Sequence, residues 1–276
     1  MATLLIGYDV ECADGPEITR AFLKQALVVH SELGAPCTLF ALGRVVEQCA
    51  DDMLPLKETG LFDFQQHTYS HVLLKTVCMD DGSRVTVVPS GTIQQVDEEI
   101  RRANAVMNER LGVRCAGLTG PWGYYRGLMD RPDLLEVVHR HGIRFLRTYA
   151  RNEKDFQPVP FEAQPFWYEP QGFGDVLECC IHGWQDVHWK MLYGWDNLRG
   201  YIKHLYGCLD YAAERGLVFS YGSHDWSSIR EDPEMSVIAA FVKRAQAKGF
   251  RVMSYLDFYE EQASMKQQVG PGREDK

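Results

Sequence analysis

The sequence reads as an α/β chain whose strands form a parallel sheet or barrel joined by crossover helices. Three observations point there. Short apolar runs alternate with amphipathic helical patterns from one end to the other. Glycines close the helical patterns, at Gly34, Gly112, Gly142, Gly216 and Gly249. The residues able to carry chemistry (Asp9, Glu11, His67, His71, Pro121 and His224) fall at or just after predicted strand ends, where such folds gather their sites.

The run at 4–8 is apolar and bounded by acid, a buried strand. Residues 17–33 carry a helical pattern in Ile18, Ala21, Phe22, Leu23, Ala26 and Leu27. A strand at 37–41, a short helix at 43–49 and a strand at 61–65 lead into the run Gln66-His67-Thr68-Tyr69-Ser70-His71. Residues 72–91 read as an inserted hairpin around Asp80-Asp81-Gly82-Ser83. A long amphipathic helix at 92–111 and a strand at 116–119 precede a turn, Gly120-Pro121-Trp122-Gly123. Pro132 sits in the first turn of a helix at 131–141. Strands at 143–148 and 176–181 follow, then an aromatic loop at 183–194. Two helix–strand pairs, 197–215 with 217–221 and 233–248 with 251–254, precede a last helix from 256. One domain over 1–261 accounts for these elements, and the polar stretch 262–276 reads as a flexible tail.

The 276 residues are 45% hydrophobic and 24% charged, an ordinary globular composition long enough for a substantial core. Acidic side chains outnumber basic ones, 38 to 29, for a net charge of -9. That balance argues against nucleic acid or an anionic membrane as main partner, since both need a basic footprint. No segment has the length of a membrane span, and the N-terminus lacks the basic lead of a secretory signal. The eight cysteines lack metal or disulfide-framework spacing. The expected compartment is the cytoplasm. The expected partner is a small-molecule or carbohydrate substrate, with a homo-oligomer left open.

Two histidines at i and i+4 project to one side of a helical turn and can close on one metal ion. Asp9 and Glu11 share one face of an extended segment, so both carboxylates can reach the same site. One acid completes a three-ligand set with His67 and His71; the other can act as general base on a water. The structural alternative is a solvated strand end plus ordinary buried and loop histidines. His224 lies just beyond a buried strand and is placed to serve as general acid for an amine leaving group, or else to fix its loop.

In this order, the acid pair, His-x-x-x-His, Gly-Pro-x-Gly and a late strand-end histidine resemble the polysaccharide deacetylase family. That is the NodB-homology domain of carbohydrate esterase family 4, including its signal-less allantoinase-like and cyclic-imide-cleaving branch. The resemblance implies a distorted (β/α) barrel of about seven mostly parallel strands and a divalent metal. Zinc is the family's usual ion; cobalt, nickel or manganese also suit the ligands. It implies Asp9 as catalytic base, Glu11, His67 and His71 as metal ligands, and His224 as general acid, with the two acids exchangeable. Thr119 stands where the family's third motif has an arginine that braces the base, and Arg126 or another cation would substitute. A backbone N–H near Trp122 or Tyr124 would hold an oxyanion. Trp184, Asp186 and Trp189 fall where the family has its fourth motif, and with Pro121, Trp122, Tyr124 and Arg126 they complete the expected substrate-binding set.

The reading is a metal-dependent hydrolase of C–N amide bonds, removing an acetyl group from an amino sugar. The alternatives are a small amide, ureide or cyclic imide as substrate, or a non-catalytic carbohydrate-binding relative.

Overall fold

The computed structural model describes residues 1–269. Strand β1 (Thr3–Val10) is buried along its whole length, as a strand covered on both faces must be. Helix α1 (Pro16–Leu33) starts on a proline and ends at Gly34, whose left-handed backbone turns its N–H onto the last carbonyls. After β2 (Cys37–Ala41), α2 (Gly43–Glu58) runs past the short helix expected at 43–49. Its buried stripe of Val45, Val46, Cys49, Ala50, Met53 and Leu56 keeps helical spacing to the end and carries Pro55 inside the helix.

Strand β3 (Phe62–Gln66) leads to the expected insertion, an antiparallel hairpin of β4 (Val77–Asp80) and β5 (Val85–Val88). Helix α3 (Ile93–Leu111) opens on a Thr92–Gln95 capping box. Strand β6 (Gly117–Tyr125), α4 (Pro132–Arg140) and β7 (Phe145–Arg151) follow. Strand β8 (Phe166–Tyr168), too short to show a pattern, pairs antiparallel with β9 (Phe173–Glu178). The expected aromatic loop is mostly helix, α5 (Asp186–Tyr193), which buries Asp186, Trp189 and Lys190 at i, i+3 and i+4. Helix α6 (Leu198–Arg215), β10 (Val218–His224), the short α7 (Asp225–Ile229), α8 (Ser236–Ala247) and β11 (Arg251–Met253) complete the alternation.

The last helix, α9 (Tyr255–Val269), extends into the stretch expected to be flexible. Lys266 docks it by pairing with Glu169, donating to the Gly174 carbonyl and lying 4.5 Å from the Trp167 ring centroid. Residues 270–276 of the expected tail lie outside the described residues.

The sheet path is β10-β1-β2-β3-β6-β7-β9-β8, parallel at every step except the last, with β11 also pairing β1. Beyond β9 the chain stays extended. Ile181 N–H reaches the Tyr149 carbonyl on β7 and His182 N–H reaches the Ser220 carbonyl on β10, so this segment bridges β7 and β10. Helices cover the outside, and the carboxyl ends of β1, β3, β6, β7 and β10 come together at one rim.

The predicted turn at 120–123 is a bulge inside β6. Thr119 pairs with Arg147, but the next pair is Tyr124 with Tyr149. Trp122 and Gly123 take the slack with φ of 69° and 63°. A Cβ on Gly123 would also collide with Ala150. Gly123→Ala is therefore expected to lower stability by about 1–3 kcal/mol, read as a lower midpoint in urea. An unchanged midpoint would contradict this account of the bulge.

Candidate active site

The histidine run does not form a helical turn. The carbonyls of Thr68 and Tyr69 accept from the N–H groups of Gly43 and Arg44 at the start of α2, so they are not free for helical bonding. Ser70 binds Glu99 through both its N–H (2.6 Å) and its hydroxyl (2.8 Å). Thr68 and His71 bend the backbone into the left-handed region, with φ of 68° and 71°. The loop still brings the two imidazoles to one point, their centroids 5.0 Å apart.

Glu11 meets them there. Its Oε2 lies 3.3 Å from His67 Nε2 and 3.0 Å from His71 Nε2. One donor atom from each of these three residues falls within 4.8 Å of the others. His67 Nδ1–H donates to the Thr119 carbonyl at 2.9 Å, which turns Nε2 toward the cluster as a ligand must face a metal. Trp226 Nε1 donates to the other Glu11 oxygen at 3.1 Å. Burial disfavours the charge on Glu11, but His224, His67 and His71 outweigh it and hold its pKa well below the usual carboxylate range. Burial likewise opposes a charged His67, and Asp9 and Glu11 raise its pKa in spite of it. Two imidazoles and a carboxylate converging in this way fit a zinc-type divalent ion.

Asp9 stands outside that cluster and pairs with Arg147 of β7. The arginine is fully buried, its Nε bonded to Thr119 Oγ1 at 3.1 Å. The ladder register that sets Thr119 opposite Arg147 supplies a cation beside the position where the family motif places its own. Arg126 follows the end of β6 exposed and does not line the site. It is not the substitute brace.

His224 ends β10 directly beside Asp9, its register partner, with Nε2 at 3.9 Å from Asp9 Oδ2. Its Nδ1 is 2.8 Å from Asp186 Oδ1. Asp186 is wholly buried and also accepts from Ser223 Oγ at 2.7 Å. Burial works against a charged His224, yet Asp186, Glu11 and Asp9 outweigh it and push its pKa up to about 10.

Above these groups lies a cavity of about 600 Å³. It is lined by Asp9, Glu11, His67, His71 and His224, by Met79 and Arg84 of the hairpin, and by Trp122, Arg151, Phe156, Ile181, His188, Met191, Leu192 and Trp226. Of the expected substrate-binding residues, Trp122 lines it and the others do not. Pro121 is buried in the bulge. The Tyr124 hydroxyl is spent on the Leu74 N–H at 2.7 Å. Trp184 packs against Phe156, Trp189 is buried against Tyr193 and Tyr201, and Asp186 stands behind His224. Arg147, Trp226 and the α5 residues facing the cavity carry no sequence signal that marks them in advance.

Fold and site define a class: a parallel α/β protein with a two-histidine, one-carboxylate cluster at its strand ends. Comparison with known proteins narrows it. The model of the polysaccharide deacetylase family matches residues 12–146, just under half of the chain, taking in the histidine run and the β6 bulge. A probable polysaccharide deacetylase from Pseudomonas aeruginosa PAO1 superposes with a TM-score of 0.69 at 15% identity, covering 99% of this chain and 93% of its own. Puue allantoinase does so with a TM-score of 0.70 at 14% identity, covering 95% and 90%. A carbohydrate esterase family 4 pseudoenzyme from Bacillus anthracis shares the fold more loosely, with a TM-score of 0.53 at 11% identity, covering 94% and 66%. No curated protein matches. Residues 12–146 thus resemble the polysaccharide deacetylase family, and the chain shares the fold of these solved structures.

The two arginines can be told apart by stability. Arg147→Met leaves Asp9 without its buried partner and is expected to cost about 3–5 kcal/mol. Arg126→Ala, at an exposed position, should stay within about 0.5 kcal/mol of wild type. Urea titrations that rank the two variants the other way would refute the bracing assignment.

Proposed function

We propose that the protein hydrolyses a C–N amide bond with the help of a divalent metal held by Glu11, His67 and His71. The observation that carries this is the convergence of those three donors beside Asp9 and His224 on the floor of one cavity. A bound divalent ion would polarise the amide carbonyl and make a neighbouring water more acidic.

The chain's own groups supply the remainder. Asp9 takes the proton of the attacking water, its carboxylate oriented by Arg147. His224 keeps a proton at neutral pH because Asp186 favours the imidazolium, and with Nδ1 committed to Asp186 it has Nε2–H to give to the departing nitrogen. Asp186 is thus a positioning residue. The Trp122–Gly123 bulge brings backbone to the cavity wall, where an N–H can hold the developing oxyanion.

The cavity's shape favours a small amide over a polysaccharide. The hairpin contributes Met79 and Arg84 to its wall, and Phe156, Ile181, Met191 and Leu192 make much of the lining apolar. A long sugar polymer calls for an open polar groove, whereas a compact pocket with a few polar groups suits a small molecule. A binding module that has lost catalysis is disfavoured by the complete set of acid, base and ligand groups.

His67→Ala and His71→Ala should each abolish stoichiometric zinc uptake, measured by elemental analysis, and turnover in an ammonia- and acetate-release screen. Turnover by a metal-free His67→Ala protein would sink the reading. A second expectation concerns pH. Asp186→Asn removes the charge that favours protonated His224, so the pKa of His224 falls and the alkaline limb of kcat should move to lower pH. A limb that stays in place would remove His224 from the proton-donor role.

A further inference from the structure

Three charged side chains on the cavity wall, Asp81, Arg84 and Arg151, are not used by the chemistry above, and of these only Arg151 is buried. Arg151, at the carboxyl end of β7, lines the cavity and is only 1% exposed. Its Nε donates to the carbonyls of Trp122 and Gly123, both at 3.0 Å, and its Nη1 to the Asp155 carbonyl at 2.6 Å. Among the described residues no acidic side chain pairs with it, and Nη2 makes no hydrogen bond. Carbonyl oxygens satisfy N–H groups without neutralising the charge. The Asp155 carboxylate acts on this charge only from a distance, its Oδ2 accepting from the Cys78 N–H. The desolvation cost of the buried guanidinium is therefore met only in part, and its planar fork is suited to a carboxylate.

Two neighbours strengthen the point. The guanidinium lies 5.5 Å from the ring centroid of Trp122, itself part of the cavity wall. His188, also on that wall, has a buried Nδ1 with no hydrogen-bond partner. Burial and the adjacent Arg151 bring its pKa down to about 4, so at neutral pH the ring is uncharged and offers one donor and one acceptor. An anion set against Arg151 would balance its charge in this uncharged, partly apolar setting.

We infer that the substrate carries a carboxylate besides its scissile amide, and that Arg151 binds this carboxylate, with His188 and Trp122 beside it. The substrate class is then a small amide acid whose apolar portion rests on Phe156, Met191 and Leu192. The inference rests on the hydrolase reading and deepens it. Arg151 is a specificity residue here: it selects the acid and holds no reacting atom.

The test compares 4-phenylbutyrate with 4-phenylbutyramide, which share a shape and differ in charge, by isothermal titration. A carboxylate also seeks metal, so the full-length His67→Ala/His71→Ala protein is titrated beside the zinc-loaded wild type. The double variant is expected to bind the acid at least tenfold more tightly than the amide. Adding Arg151→Met should bring that ratio to within twofold, and Arg151→Lys should retain part of it. Circular dichroism and melting curves accompany each variant. If Arg151→Met does not fold, the acid-to-amide ratio of the double variant still decides. Equal affinity for the two probes, or no binding of the acid, overturns the proposal. A protein that takes up zinc and cleaves amides but shows no acid preference loses only the carboxylate site; one that keeps the preference yet takes up no zinc loses only the hydrolase reading.

Discussion

A guanidinium at the centre of the sheet holds the site together. Arg147 is fully buried, pairs with Asp9 and lies 4.4 Å from the ring centroid of Phe40. Room for it is made by two glycines that face each other across adjacent strands, Gly7 of β1 and Gly222 of β10. A Cβ on Gly7 would stand 2.7 Å from Arg147 Nη1, and one on Gly222 3.1 Å from it. A charge so placed is tolerable only with a paired carboxylate; Asp9 provides it at Nη2 and Thr119 accepts from Nε, while the buried Nη1 has no hydrogen-bond partner. The position of Asp9 is thereby tied to β1, β6, β7 and β10 together. Glu11, two residues on, inherits that position at the rim where His67 arrives from β3.

Much of this frame is legible from the chain alone. Apolar runs bounded by glycine-terminated helices give the parallel alternation, because a strand buried on both faces has to be apolar throughout. The acid pair and the histidine pair are visible because few other uses explain such residues at two strand ends. Arg147 is not visible. In Phe-Leu-Arg-Thr-Tyr it looks like any polar residue of a strand, and only the pairing with Thr119 shows that it points into the interior. The bulge in β6 is hidden for a related reason: Gly-Pro-Trp-Gly carries the composition of a turn, and whether the strand resumes beyond it depends on pairing with β7.

Two errors of local reading share a cause. The run from His67 to His71 has helical spacing, but tertiary hydrogen bonds to α2 and Glu99 claim its backbone and give the histidines a common target by another route. The stretch 183–194 is rich in aromatics and reads as a loop, yet α5 forms there because Asp186, Trp189 and Lys190 find buried partners on one face. In each case a local pattern too weak to decide was decided by what lay across from it. Asp186 changes meaning with that helix, from a supposed substrate contact to the partner of His224.

The site therefore divides into two parts of different origin. Its reacting end is built from strand ends, where ladder register fixes each group and the pattern of residue types survives in the sequence. Its receiving end is built from the β4–β5 hairpin, the bulge of β6 and the inner face of α5, segments placed by packing. The proposed metal chemistry would need only the first part, which sits on a fold shared with proteins at 15% identity or less. Selection of a substrate needs the second. On the proposed reading, a wall that is apolar at Phe156, Ile181, Met191 and Leu192 and holds the Arg151 guanidinium would suit a small molecule with an apolar body and an acidic end better than a neutral polymer.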